Sequence, residues 1–228
     1  MFKTKGIYIG LLLAIGIATA IGIEAYFYPD MFDTSNVTAF YVVVTNIIIM
    51  VYSAKSFGDE FQLKVSTQIF TSKLTREQVI IYKFISLLLL SFILVFIETV
   101  VFSVFKYILP GELTLEIVIQ HMVQEVFSFT VYTCVVSTFS ILVSLVNFST
   151  TSTLIASFGG FLILPNLLRL VIQKYPELEA IIQMIPFLSA DELIASNQIG
   201  IMSLIILILC SITFFVMSII CIENKDLR

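Results

Sequence analysis

Six segments of the chain are long and apolar enough to cross a lipid bilayer, and they constrain the fold more than any other feature. A helix needs roughly 20 apolar residues to span the hydrocarbon core. We expect the first segment to be a retained span rather than a signal peptide. Because the sequence shows no internal repeat and no linker, we predict an all-α polytopic membrane protein with one transmembrane domain, 1–228. The predicted spans are about 6–27, 37–57, 78–108, 126–146, 151–172 and 200–222.

The balance of apolar and charged residues excludes a soluble domain. Hydrophobic residues make up 59% of the chain and charged residues only 12%, whereas about a quarter of a typical soluble domain is charged. The sequence has no basic face and no nucleic-acid-binding motif, so nucleic acid is not an expected partner. The expected surroundings are a lipid bilayer.

The basic residues are distributed unevenly along the chain and predict its orientation. An even number of spans places both termini on one side of the membrane. If that side is the cytosol, the inner segments carry nine of the 12 Lys and Arg residues and the outer segments carry three. Because inner loops are enriched in Lys and Arg, we expect both termini to be cytosolic. The three outer basic residues are Lys106, Arg169 and Lys174.

The stretch from 55 to 83 concentrates charge in one connection between spans. Gly58 is predicted to end the second span, and Asp59 to cap a short amphipathic helix at about 59–71. The run from Thr75 to Gln78 has the pattern of a capping box, which predicts the start of the third helix. From the residues alone, this amphipathic helix could equally lie on lipid headgroups or dock on a partner protein.

Three features of this stretch carry a resemblance to a known family. Glu60 stands near the start, the run SKLTR at 72–76 in the middle, and Tyr82 and Lys83 at the end. In this order, they resemble the first cytosolic loop of ABC type-2 exporter permeases, with six spans and a coupling helix after the second. The closest likeness is to permeases of the phenol-soluble modulin and bacteriocin peptide exporters. The chain departs from the family pattern at 65–67, where it has VST in place of a Gly-Thr pair.

The resemblance implies a non-catalytic permease subunit in a bacterial cell membrane, which exports amphipathic peptides or other hydrophobic compounds. The sequence has no G-x-x-x-x-G-K-[ST] motif to cradle ATP phosphates, so a separate ATPase subunit would bind ATP and Mg, and this chain needs no cofactor. A second permease half, identical or a paralogue, would complete the transporter. The alternative is a non-pumping receptor or immunity protein that binds a toxin peptide. The residues expected to couple to the ATPase are Asp59, Glu60, Phe61, Lys64, Val65 and Gln68.

Three polar residues within the spans are candidates for the translocation path. Glu98 is the one ionisable residue that we place near the bilayer centre, where such a group tends to face a cavity or a partner. A protonated Glu98 that hydrogen-bonds within the bundle is the slightly favoured alternative. Asn46 and Asn166 are weaker candidates, because hydrogen bonds between helices explain them more economically.

The remaining polar residues indicate neither an enzyme nor a metal site. The chain has one histidine, which argues against a zinc site built from several imidazoles. His121 and Glu125 are four residues apart and could pair, but we expect them to be solvated at the outer interface. The three cysteines lie in apolar runs and are typical of small buried side chains.

Two outer segments and one glycine pair predict further structure. Residues 113–125 are expected to form a short interfacial helix that leads into the fourth span. Residues 173–199 are expected to form a re-entrant pair of short helices, with Pro176 and Pro186 around one and the run from Ser189 to Glu192 capping the other. The FGGF run at 158–161, followed by Pro165, predicts a bend or a close helix contact in the fifth span.

Overall fold

A computed structural model of the protein describes residues 5–62, 75–109, 113–196 and 200–223, and these ranges contain helices and no strands. Six helical stretches are long and apolar enough to cross a membrane. They confirm the predicted all-α fold with six candidate spans. In chain order the elements are α1 Lys5–Phe27, α2 Thr34–Gln62, α3 Arg76–Ile108, α4 Leu115–Asn147, α5 Thr150–Phe158, a π-helical turn Gly159–Ile163, α6 Leu164–Lys174, a 3₁₀ turn Pro176–Leu178, α7 Glu179–Ile182, α8 Pro186–Ser196 and α9 Ile201–Glu223.

The spans alternate in direction, and this alternation defines two sides of the bundle. The start of α1 and the end of α9 lie on one side, which we call the terminal side. The opposite side, which we call the distal side, carries the connections between α1 and α2, between α3 and α4, and between α6 and α9.

Helices α2 and α4 form the centre of the bundle. In the most apolar 18-residue stretch of each helix, 61% is buried. The corresponding share is 22% or less in α1, in α9 and in the span made of α5 and α6. Hydroxyl groups join the central helices to their neighbours: Tyr41 donates to the Leu94 carbonyl at 3.0 Å, and the Ser140 and Ser157 oxygens lie 3.0 Å apart. Such bonds and close packing hold helices together where lipid tails remove the hydrophobic drive.

Helix α2 does not end at Gly58, and this corrects the predicted boundary. It continues to Gln62 through Asp59, the residue predicted to cap a new helix. Gly58 is buried and has no positive φ. An added methyl carbon would lie 2.6 Å from the Thr150 Cα. The glycine therefore serves a close helix crossing rather than a helix end. The rest of the predicted 59–71 helix, from residue 63, lies outside the described residues.

Helix α3 begins with the predicted capping box. The Gln78 amide donates to the Thr75 hydroxyl at 3.3 Å, and the Thr75 amide donates to the Gln78 side-chain oxygen at 3.0 Å. Two turns later, Lys83 donates through Nζ to the Ser56 carbonyl of α2. The terminal-side end of α3 is thus bonded to α2.

Helix α4 is one continuous helix of 33 residues, so the short interfacial helix expected at 113–125 is the first part of the helix that forms the fourth span. No Gly or Pro occurs between Leu115 and Asn147, and nothing therefore interrupts the backbone hydrogen bonds. Thr114 caps its start by accepting from the Ile117 amide at 3.3 Å. Its length of about 50 Å, at 1.5 Å per residue, exceeds the hydrocarbon thickness of about 30 Å.

Of the two alternatives predicted at FGGF, the structure shows the close helix contact, and it lies at a π-helical turn. A π-helical turn covers Gly159–Ile163 just before Pro165. Proline has no amide hydrogen and its ring crowds the carbonyl four residues earlier, and a wider turn relieves both problems. The close contact is at Gly160, where an added methyl carbon would lie 2.9 Å from the Phe187 ring of α8.

The segment between α6 and α9 contains two short helices, as predicted. The first, α7, lies between Pro176 and Pro186. The second, α8, begins at Pro186 and not at a cap near Ser189, because proline is well suited to the first helical position. The Ser189 hydroxyl instead donates to the Gln183 carbonyl at 2.6 Å. The inner face of α8 is buried against the bundle through Leu188, Ser189, Ala190, Leu193 and Ile194.

Candidate functional site

A cavity of about 660 Å³ lies at the distal side of the bundle. Its walls come from the end of α1, the start of α2, and parts of α3, α4 and α8. Most of its ionisable lining is acidic, although the site is built among apolar helices. The ionisable and amide side chains on its wall are Asp33, Asn46, Lys106, His121, Glu125 and Asp191.

On the wall of this cavity, His121 of α4 contacts Glu98 of α3. The His121 Nε2 lies 2.9 Å from one Glu98 carboxylate oxygen and 3.0 Å from the other. The Glu98 side chain is fully buried behind the imidazole. Phe102 stacks on the same ring, with ring centroids 3.8 Å apart and planes inclined by 14°. Because Glu98 and Phe102 are four residues apart on one helix face, together they fix the imidazole plane.

Glu125 completes a group of three that we call the distal cluster: Glu98, His121 and Glu125. It follows His121 by four residues, so both point from the same face of α4. One ligand atom from each residue lies within 4.8 Å of the others. Glu125 is 3% exposed. Two carboxylates and one imidazole are thus concentrated where few water molecules can screen them, which is an arrangement that could hold a cation.

Asn46 approaches the same cavity from α2. The residue is 6% exposed, and its side-chain oxygen has no hydrogen-bond partner among the described residues. A buried amide oxygen normally accepts a hydrogen bond. This acceptor is therefore available to something that enters the cavity.

The cavity mouth is polar and ordered by hydrogen bonds. Asp33 caps α2 by accepting from the Asn36 amide at 3.1 Å, and the Asn36 side-chain oxygen accepts from the Asp33 amide at 2.9 Å. The hydrogen bond from the Ser35 hydroxyl is the main cause that lowers the pKa of Asp33. The Asp33 carboxylate therefore stays charged at the mouth.

A second acid at the mouth, Asp191 of α8, is paired with Arg169 of α6. Their nitrogen and oxygen atoms lie 2.6 Å apart. Burial raises the pKa of Asp191, and the Arg169 guanidinium opposes that rise. Burial also raises the pKa of the neighbouring Glu192. The pair joins α8 to α6 and so helps to hold the cavity wall in position.

The predicted path residues do not all meet in this cavity. Asn46 lines it, whereas Glu98 does not line it but contacts the lining residue His121. Asn166 is elsewhere and exposed, and its amide donates to the Leu162 carbonyl at 2.7 Å within its own span. The hydrogen bond between helices that we expected for Asn166 is therefore replaced by a local one.

The predicted coupling residues lie at or beyond the terminal-side end of α2. Asp59, Glu60 and Phe61 belong to the last turns of α2. Lys64, Val65 and Gln68 lie outside the described residues. The described anchors of this segment are the Lys83 bond to the Ser56 carbonyl and the close approach of Gly58 to Thr150.

Sequence reasoning missed the distal cluster, because it placed Glu98 at mid-membrane and His121 on a solvated interfacial helix. One signal could have found it. Glu98 lies 11 residues before Leu109, which follows the end of α3. Glu125 lies 11 residues after Thr114, which caps the start of α4. In a hairpin of two antiparallel helices, residues at equal distances from the connection lie at the same height.

A comparison with models of known protein families finds no match, and a comparison with curated protein sequences finds none at a significant level.

Proposed function

We propose that the chain is the permease subunit of an ATP-binding-cassette exporter that moves amphipathic peptides or other hydrophobic compounds out of a bacterial cell. The observation that carries the proposal is the position of the charged stretch 55–83. Its sequence resembles the coupling loop of such permeases, and its described ends join helices that contact one another on the terminal side.

The contacts around this stretch supply a physical route for coupling. Lys83 bonds α3 to the Ser56 carbonyl of α2. Gly58 leaves no room for a side chain between α2 and Thr150 at the start of α5. A force on 59–74 would therefore act on three spans together, which is how a rigid-body rotation of a helix bundle is driven.

The energy source in this proposal is a second protein. The sequence has no phosphate-binding loop of its own, so an ATPase subunit would dock on Asp59, Glu60, Phe61, Lys64, Val65 and Gln68. A second permease half, identical or a paralogue, would form the other wall of the path. The apolar outer surface of α1 and α9 suits both lipid and such a partner.

The proposal predicts that Glu60→Ala combined with Phe61→Ala uncouples ATP hydrolysis from transport. The tagged chain is co-expressed with each ABC ATPase subunit of its source organism, and the retained complex is purified and reconstituted in vesicles. We expect one ATPase to be retained, and we expect the double variant to lose at least about 90% of peptide efflux while it still inserts, because the acid and the aromatic ring would contact the ATPase.

The matched control is Glu24→Ala combined with Phe27→Ala, which removes the same residue types from exposed positions near the distal-side end of α1. This control should transport normally. Retention of no ATPase, together with peptide binding by the purified chain, would instead favour the receptor or immunity protein. Unchanged efflux in the Glu60 and Phe61 variant would refute the assignment of the coupling residues.

A further inference from the structure

We propose that the distal cluster binds one divalent transition-metal ion of the Zn²⁺ type, held by Glu98, His121 and Glu125. This inference concerns the opposite side of the bundle from the ATPase contact. It does not depend on the transport function.

The spacing of the three side chains suits one shared ion. Their ligand atoms lie within 4.8 Å of one another. Zn²⁺ binds histidine nitrogen and carboxylate oxygen at about 2.0–2.2 Å in tetrahedral geometry, which places ligand atoms on one ion about 3.3–3.6 Å apart. We expect side-chain rotations to close this difference.

The contact between His121 and Glu98 shows what the ion would replace. Nε2 lies within 3.0 Å of both Glu98 oxygens, so one hydrogen is shared between the imidazole nitrogen and the carboxyl group. On binding, the ion takes the place of that hydrogen. The proton leaves to solvent through the cavity, and the nitrogen lone pair and the carboxylates then bind the metal.

The charges of the cluster match a divalent ion. Two ionised carboxylates and a neutral imidazole carry a formal charge of −2, and one divalent cation brings the sum to zero. Unbalanced charge is strongly disfavoured inside a helix bundle in a membrane. Glu98 and Glu125 are both buried, so neutralisation by an ion matters more here than it would at a solvated surface.

An independent observation on α2 also points to a ligand in this cavity. The side-chain oxygen of Asn46 is buried and has no hydrogen-bond partner among the residues that the structure describes. It lines the same cavity as His121 and Glu125. An amide oxygen can bind a metal directly or accept a hydrogen bond from a metal-bound water, and either contact would satisfy it.

The ligand types determine which ion is favoured. Mg²⁺ and Ca²⁺ prefer sites made of oxygen ligands alone, whereas an imidazole beside carboxylates suits zinc and its transition-metal neighbours. The stacking of Phe102 restricts rotation of the His121 ring and so holds the nitrogen toward the cluster. The ion would enter from the distal side, past Asp33 and Asp191 at the cavity mouth.

Zinc titration of the purified full chain tests this inference. Cys134, Cys210 and Cys221 are first replaced by Ser, which removes the thiols as competing ligands. In detergent, with a chromophoric chelator as competitor, we expect one Zn²⁺ per chain. Glu98→Gln, His121→Gln and Glu125→Gln should each weaken binding at least about tenfold, as loss of a ligand does more than loss of a supporting hydrogen bond. Glu116→Gln, an exposed acid on the same helix, should leave the affinity unchanged.

X-ray absorption at the zinc edge of the Cys-free chain provides the decisive second measurement, because it needs no variant of the cluster. We expect nitrogen and oxygen ligands with the signature of a single imidazole. Three results would each overturn the inference: the chain fails to bind one equivalent of Zn²⁺, the imidazole signature is absent, or millimolar Mg²⁺ or Ca²⁺ displaces the Zn²⁺. No ATPase or ATP is present, so the result is independent of the permease proposal.

Discussion

At the scale of single residues, Glu98 shows how neighbours determine what a buried acid does. An isolated charge at the centre of a bilayer costs roughly 2.5–3.5 kcal/mol on insertion scales. In the folded protein, both Glu98 oxygens lie within hydrogen-bond distance of His121, and a second acid, Glu125, lies beside them. The residue is therefore one member of a group at the distal cavity and not a lone polar group in the span.

Gly58 is a second position at which one atom determines the packing. We predict that Gly58→Ala destabilises the protein by about 1–3 kcal/mol, the range typical of overpacking, because its methyl carbon would lie 2.6 Å from the Thr150 Cα. The measurement is SDS-induced unfolding followed by circular dichroism.

The matched control for this prediction is Gly16→Ala in α1, where nothing lies within 4 Å of the added carbon. It should be neutral or stabilising by roughly 0.5–1 kcal/mol, the usual preference for alanine in a helix. Equal stability of the two variants would mean that α2 and α5 do not cross closely at Gly58.

At the scale of elements, the π-helical turn joins the fifth span to the distal segment. The turn contributes to a cluster of aromatic rings from three helical segments: Phe139 and Phe161 have centroids 5.6 Å apart, and Phe161 and Phe187 have centroids 5.0 Å apart. Gly160 lets the Phe187 ring lie directly on the turn. The position of α8, and with it one wall of the distal cavity, therefore depends on this contact.

Adjacent glycines in the turn provide a matched pair of variants. We predict that Gly160→Ala destabilises the protein by about 1–2 kcal/mol, because the added carbon would lie 2.9 Å from a Phe187 ring that neighbouring aromatic rings hold in place. Gly159→Ala should be neutral, since nothing lies within 4 Å of its added carbon. SDS-induced unfolding at equal protein concentration measures the stability of both variants. A greater loss of stability in Gly159→Ala would contradict this arrangement.

At the scale of the whole molecule, the distribution of Lys and Arg predicts a cytosolic terminal side. We expect Met31→Cys, at an exposed distal position, to react with an impermeant maleimide on intact cells. Asn147→Cys, at the terminal-side end of α4, should react only after the cells are opened. Both variants are made in a chain that lacks the three native cysteines. The reverse labelling pattern would place the terminal side, with the proposed ATPase contact, outside the cell and would contradict the permease proposal.

The sequence by itself determined the class of protein, the six spans and the start of α3. Apolar length and a local capping box are properties of neighbouring residues, and Thr75 and Gln78 meet within one turn wherever the helix lies. The end of α2 could not be predicted from the sequence, since a glycine such as Gly58 fits both a helix end and a close helix crossing. The continuity of α4 could not be predicted either, because its polar start is compatible with a separate interfacial helix. Only the tertiary structure decided that Gly58 faces Thr150 and that Glu98 meets His121. These contacts join residues far apart in sequence, and how the helices pack determines whether they form.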